Sequence, residues 1–210
     1  PSHEEIADNL KDLEAFIHDP FSHPIIDAGL LHAQFETIHP FLDGNGRTGR
    51  LLVTFYFMHH KCVSQPVLFL SSYFLKHKKA YYQHLDNYHN GNIAPWVDFF
   101  LDAVIQTAKE GIELSEKIMQ QRDKDLERIS TLDIRASENA IPTLRELYRA
   151  PIVSSTKVME WIDKSRPATL DFIDRLTSIG ILEKYQEGEG NRPSLYRHRE
   201  YLDIFTQHHT

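Results

Sequence analysis

Along most of the chain, apolar residues recur three and four positions apart, the spacing that gathers them on one face of an α-helix. In EEIADNLKDLEAFIHD, Ile6, Leu10, Leu13, Phe16 and Ile17 follow that spacing behind acidic residues suited to a helix start. Residues 24–37 predict a second helix with Leu30, Leu31 and Phe35 as its buried stripe, and LLVTFYFMHH predicts a third. Ser71-Ser72 is placed to cap a fourth helix through FLKHKKAYYQHLDNYHN, which Gly91 would end. A fifth begins near Pro95, a good first-turn residue, and continues through WVDFFLDAVIQTAKEGIELSEKIMQ, either running on or breaking near Gly111.

The pattern changes after residue 121. The polar stretch RDKDLERISTLDIRASEN, residues 122–139, reads as a linker. Beyond it, IPTLRELYRA, SSTKVMEWID and RPATLDFIDRLTSIGIL predict three short helices, and EKYQEGEGNRPSLYRHR predicts two strands around a Gly-rich turn. Three short helices and a hairpin, over residues 140–210, follow the order of a winged helix-turn-helix. SRPATLDFIDRLTSIGILEK resembles the recognition helix and first wing strand of that family. The expected fold is therefore mainly α: a helical domain over residues 1–121, then a small winged-helix domain. No internal repeat or low-complexity tract appears.

Composition narrows the function without naming it. With 41% hydrophobic and 25% charged residues, the chain can build a substantial core. A formal charge of −7 argues against a general binder of nucleic acid or anionic membrane. Residues 133–210 carry 11 Lys+Arg against 12 Asp+Glu, a balance of −1, although Arg166, Arg175, Arg192, Arg197 and Arg199 are able to gather on one face. DNA and protein both stay open as partners of that domain. The single cysteine, Cys62, excludes an intramolecular disulfide, points to a reducing, cytoplasmic setting and is expected to be a small buried residue. Leu51–Met58, the longest apolar run, is too short to span a bilayer. The chain opens on Pro1-Ser2 without an initiator Met, which reads as the start of a fragment or a processed chain.

The chemistry concentrates in HPFLDGNGRTGR, residues 39–50, just before the third predicted helix. A loop that ends at a helix N-terminus offers free N–H groups and the positive end of the dipole to an anion. Gly44 and Gly46 permit positive φ and close backbone approach to a phosphate. Arg47 and Arg50, three apart, are able to share a face, and two permanent cations suit a polyphosphate. Asp43 supplies the hard oxygen that a phosphate-bound Mg²⁺ prefers. His39 is the residue type in the loop suited to general-base work near neutral pH.

This stretch matches every fixed position of the Fic motif, HPFx[DE]GNGRxxR, and the flanking LLHAQFETI, LLVTFYFMHH and YYQHL resemble the segments that Fic proteins place there. The resemblance covers residues 4 to about 108. It implies a protein adenylyltransferase that moves AMP from ATP to a Ser, Thr or Tyr hydroxyl of a target protein or of itself and releases pyrophosphate. His39 would be the base and Asp43 would hold Mg²⁺. Asn45 and the backbone of Gly44 and Gly46 would orient the α-phosphate, with Arg47 and Arg50 on the β- and γ-phosphates. Tyr81 and Tyr82 match the pair that borders the adenine in many relatives, and only one of them is expected to reach the nucleotide; Asn87 and His89 receive no role. Doc-type kinases carry Lys where this chain has Gly46, so Gly46 favours nucleotidyl transfer. The inhibitory pattern [ST]xxxE[GN] of many relatives is matched nowhere, which implies that any such helix, and the target-docking flap, lies upstream of Pro1. A homodimer is compatible with this reading and a membrane partner is not expected.

A rival from another class is a winged-helix DNA-binding regulator whose Fic core senses or autoregulates. His59, His60, His77, His84 and His89 show no zinc-type spacing and are expected on helix surfaces.

Overall fold

A computed structural model describes residues 4–20, 22–65, 68–188 and 192–206. It is mainly helical, with a three-stranded antiparallel sheet towards the C-terminal end. The chain divides into two compact units, residues 1–112 and 113–210.

The first unit holds α1 (Ile6–His18), α2 (Pro24–Ile38), α3 (Asn45–His59), α4 (Leu70–Lys76), α5 (Lys78–His89) and the beginning of α6 (Ala94–Ser130). Pro24 opens α2 and His23 caps it, its Nδ1 accepting from the Ile25 N–H at 3.3 Å. The stripe predicted for α2 is wider than three residues. Ala28, Leu31, His32, Ala33, Phe35 and Ile38 are all buried, because other helices cover this one from several sides. Trp96 of α6 is fully buried against it and donates its indole N–H to the Gly29 carbonyl at 2.8 Å. Burying one such aromatic side chain contributes about 2–3 kcal/mol relative to leaving it exposed. On the α3 side, a Cβ on Gly49 would lie 3.0 Å from His32 Nδ1 and 3.2 Å from Phe35, so a glycine there lets the two helices meet.

Two expectations change here, and one alternative is decided. The helix expected from Ser71 to Asn90 begins at Leu70 and is two helices, interrupted at His77, whose backbone leaves the helical region at φ −109°, ψ 32°. Of the two alternatives at Gly111 the helix runs on: α6 is continuous to Ser130. Cys62 is exposed rather than buried, since α3 ends at His59 and the chain has already turned into solvent. Of the histidines expected on helix surfaces, His59, His77 and His89 are exposed, while His60 and His84 are half-buried.

The second unit contains the rest of α6, then α7 (Ile134–Leu147), β1 (Ile152–Ser154), α8 (Ser155–Ile162), α9 (Arg166–Ser178), β2 (Glu183–Gln186), β3 (Leu195–Arg197) and α10 (Arg199–Thr206). Sheet order is β1-β3-β2, with Val153 opposite Tyr196 and Lys184 opposite Tyr196. Helix, strand, two helices and a hairpin follow the element order expected of a winged helix-turn-helix. The polar stretch 122–139 is helical over most of its length instead of a loop, because it finishes α6 and starts α7, which Asp133 caps through the Ala136 N–H at 2.9 Å. β1 and α10 were not anticipated, while residues 189–191 of the Gly-rich turn lie outside the described residues.

One polar cluster ties this unit together. The Asp125 carboxylate is fully buried and accepts from Tyr148 Oη at 2.8 Å and Gln121 Nε2 at 3.0 Å, with His198 Nε2 at 2.7 Å. A charge withdrawn from water needs such a set of donors. Among the described residues no helix is long and apolar enough to cross a membrane.

Candidate active site

Residues 39–44 join the end of α2 to the start of α3, and each end is shaped by an unusual backbone. His39 caps α2 in the left-handed conformation at φ 48°, ψ 58°. A non-glycine residue held there costs about 1–3 kcal/mol and survives when its surroundings over-determine it. Gly44 caps α3 at φ 86°, a conformation open to glycine. Gly46, in contrast, lies inside the first turn of α3 without positive φ, so its expected conformational role falls to Gly44 alone.

Asn45 fastens the loop. Its side chain is buried; Oδ1 accepts from the Phe41 N–H at 2.9 Å, and Nδ2 donates to the Phe41 carbonyl at 2.6 Å. Nδ2 also lies 3.2 Å from both ring nitrogens of His39. The amide is thus spent on the loop and on His39, while the His39 ring stays exposed.

Asp43 projects outward, its side chain 93% exposed. Oδ1 accepts from the Gly44 N–H at 2.6 Å and Oδ2 faces Arg47 Nη2 at 3.3 Å. One accessible carboxylate would suit Mg²⁺ bound in company with phosphates and water. Thr48 is the first residue of this turn with a backbone bond back along the ladder, to Gly44 O at 3.0 Å, so the N–H groups before it point out of the helix end. Arg47 and Arg50 line one cavity of about 250 Å³ with Thr54, Leu68, Leu70 and Ser71. The expectation that the two arginines share a face therefore has a geometric counterpart.

The two tyrosines part company. Tyr81 is buried, packed on Phe74 and Trp96 with its hydroxyl 3.0 Å from His32 Nε2; Tyr82 is 59% exposed. Sequence reasoning passed over two polar residues of α2. His32 is stacked between Phe74 and Trp96, at centroid distances of 5.6 and 5.9 Å, and burial lowers its pKa to about 4. Glu36 lies one turn before His39; burial raises its pKa, while His39, Arg50, Tyr81 and His89 pull it back. Its position three residues before the motif histidine was the available signal.

In the second unit three of the five arginines of the candidate basic face are paired with carboxylates, while Arg166 and Arg192 are exposed. Arg175 pairs with Asp133 and Asp171, and Arg197 and Arg199 both reach Glu183. The exposed positions of α9 include Asp171 and Asp174.

The site thus brings together a loop at a helix start, a histidine at its rim and two arginines on one cavity. Residues 1–57 match the model of the Fic/DOC family. The chain is similar to "Protein adenylyltransferase Fic" of Aedes aegypti, 35% identical over 85 residues that make up 40% of this chain and 16% of that protein. The protein of the same name from Drosophila mojavensis is 29% identical over 128 residues, 61% of this chain and 24% of its own length. The chain thus spans less than a quarter of the length of these curated relatives. The crystal structure of a Fic family protein from Desulfovibrio desulfuricans G20 matches 94% of this chain and 56% of its own, with a TM-score of 0.53 and 21% identity, a likeness of fold.

Proposed function

We propose that the chain is a protein adenylyltransferase that transfers AMP from ATP to a side-chain hydroxyl of a target protein or of itself. The observation that carries this reading is the joint geometry of the loop: an exposed His39 fixed beside Asn45, an outward Asp43, and Arg47 and Arg50 on one cavity at the start of α3. The name shared by the similar proteins supports the same class.

In this account the hydroxyl approaches the α-phosphorus while His39 takes its proton. The O–P bond to the target forms as the bond between the α-phosphorus and its bridging oxygen to the β-phosphate breaks, and pyrophosphate leaves with that electron pair. Backbone N–H groups of the α3 first turn receive charge on the α-phosphate. Arg47 and Arg50 hold the departing phosphates in line, so the work of the protein is positioning and charge stabilisation. Asp43 would hold Mg²⁺, which when bound offsets charge on the phosphate oxygens. Exposed Tyr82 is the member of the pair available to a base; Tyr81 supports the site from within.

ATP labelled at either the α- or the γ-phosphate tests the reaction. Label carried to protein from the α position alone supports nucleotidyl transfer; label from the γ position would make the chain a kinase. The paired arginines and the acidic residues of α9 weigh against the DNA-binding alternative.

A further inference from the structure

Beside the loop, on the inward side of α3, lies a carboxylate with no function in the account so far. Glu36 sits in the last full turn of α2, and its Oε1 is buried with no hydrogen-bond partner among the described residues. That oxygen is 3.2 Å from where a Cβ on Gly46 would stand, and Arg50 Nη1 is 3.0 Å from the same point. The two opposite charges therefore converge over the Gly46 backbone. A side chain at Gly46 would enter the space between them.

Resting on the nucleotide reading of the loop, we propose that Glu36 is a positioning residue of the phosphate site: its buried negative charge offsets Arg50 while the site is empty and opposes the terminal phosphates of an arriving nucleoside triphosphate. A carboxylate with one oxygen buried and unpartnered is costly, and it persists where a nearby cation and the Tyr81 hydroxyl compensate part of the cost. When a triphosphate takes that cation, Glu36 loses its compensation and faces new negative charge. Its cheapest response is to accept a proton from solvent, so tight binding of the triphosphate carries proton uptake.

The groups facing Glu36 are His39 at the end of its own helix, Arg50 of α3, and Tyr81 and His89 of α5. Burial already favours the neutral carboxyl, so Glu36 takes up a proton more readily than an exposed glutamate does. The sign follows: lowering pH relieves the repulsion and tightens triphosphate binding through Glu36, whereas raising pH restores it. AMP, which leaves Arg50 without a phosphate partner, should be nearly indifferent.

Calorimetric titration of the 210-residue chain with ATP, ADP and AMP in the presence of Mg²⁺ tests this, using wild type, Glu36→Gln and Glu36→Asp from about pH 8 to about pH 5.5. At the alkaline end Glu36→Gln is expected to bind ATP about fivefold more tightly than wild type, from one charge removed at a partly screened separation. AMP affinity should not change. The wild-type to Gln ratio for ATP should approach one as pH falls, and Glu36→Asp should keep the wild-type dependence. Taking the ratio cancels protonation of the nucleotide itself. Equal ATP affinity for wild type and Glu36→Gln at every pH, with AMP and ATP still bound, would overturn the role of Glu36 alone. Binding of no nucleotide by any of the three proteins would overturn the reading of the loop and this inference with it.

Discussion

Replacing Asn45 with Ala removes the fastening of the loop and leaves its charged residues in place. Two bonds to the Phe41 backbone are lost, at 2.9 and 2.6 Å, together with the amide that lies 3.2 Å from the His39 ring. Each bond is worth about 1 kcal/mol net, and Phe41 is half exposed, so its freed N–H and carbonyl reach water and avoid the larger cost of a buried orphan. The sum is about 2 kcal/mol, equivalent to roughly 30-fold in the population of the ordered loop. His39 is the residue most sensitive to that loss, because its left-handed backbone is sustained by the loop around it. Amide exchange at Phe41 should accelerate by up to about 30-fold, and single-turnover self-modification with ATP should slow by a similar factor. Far-ultraviolet circular dichroism should be unchanged, since α2 and α3 keep their packing. Unchanged exchange at Phe41 in the Ala variant would refute the assignment of Asn45 as the fastening of this loop.

Other consequences concern the two cores. Asp125→Ala strips three donors of their common acceptor in the second unit and should cost about 3–5 kcal/mol in urea unfolding, while Asp125→Asn should cost less. His32 is neutral and buried with a pKa near 4 against 6.5 when unfolded, so the native state binds fewer protons between those values. Stability contributed by the first unit is therefore full above about pH 6.5 and falls as pH drops towards 4, by about 3 kcal/mol in all. Unfolding curves that stay flat over that window would contradict a buried neutral His32.

Periodicity made α1, α2, α3 and the start of α6 legible, since Leu13, Phe35, Val53 and Trp96 recur where one face of a helix turns inward. It failed where tertiary context decides. The 122–139 stretch is polar because most of it is a solvated helix surface, and composition alone does not separate that from a linker. β1 is three residues long, too short for alternation to register, and it exists because Val153 pairs with Tyr196 far along the chain. At the loop, residue types and spacing pointed to the two arginines that line one cavity. What they could not reveal was direction: Asn45 turned inward on Phe41, Tyr81 sunk in the aromatic core, and Glu36 aimed at Arg50 from a helix read only for its apolar stripe.

The most direct test of the central claim is an intact-mass measurement of the chain after incubation with ATP and Mg²⁺, beside His39→Ala. An AMP-sized gain in the wild type and none in the variant is the predicted result. An equal gain in both proteins would contradict His39 as the base, and no gain in a wild-type sample shown to bind ATP together with a hydroxyl-bearing target would contradict the adenylyltransferase reading.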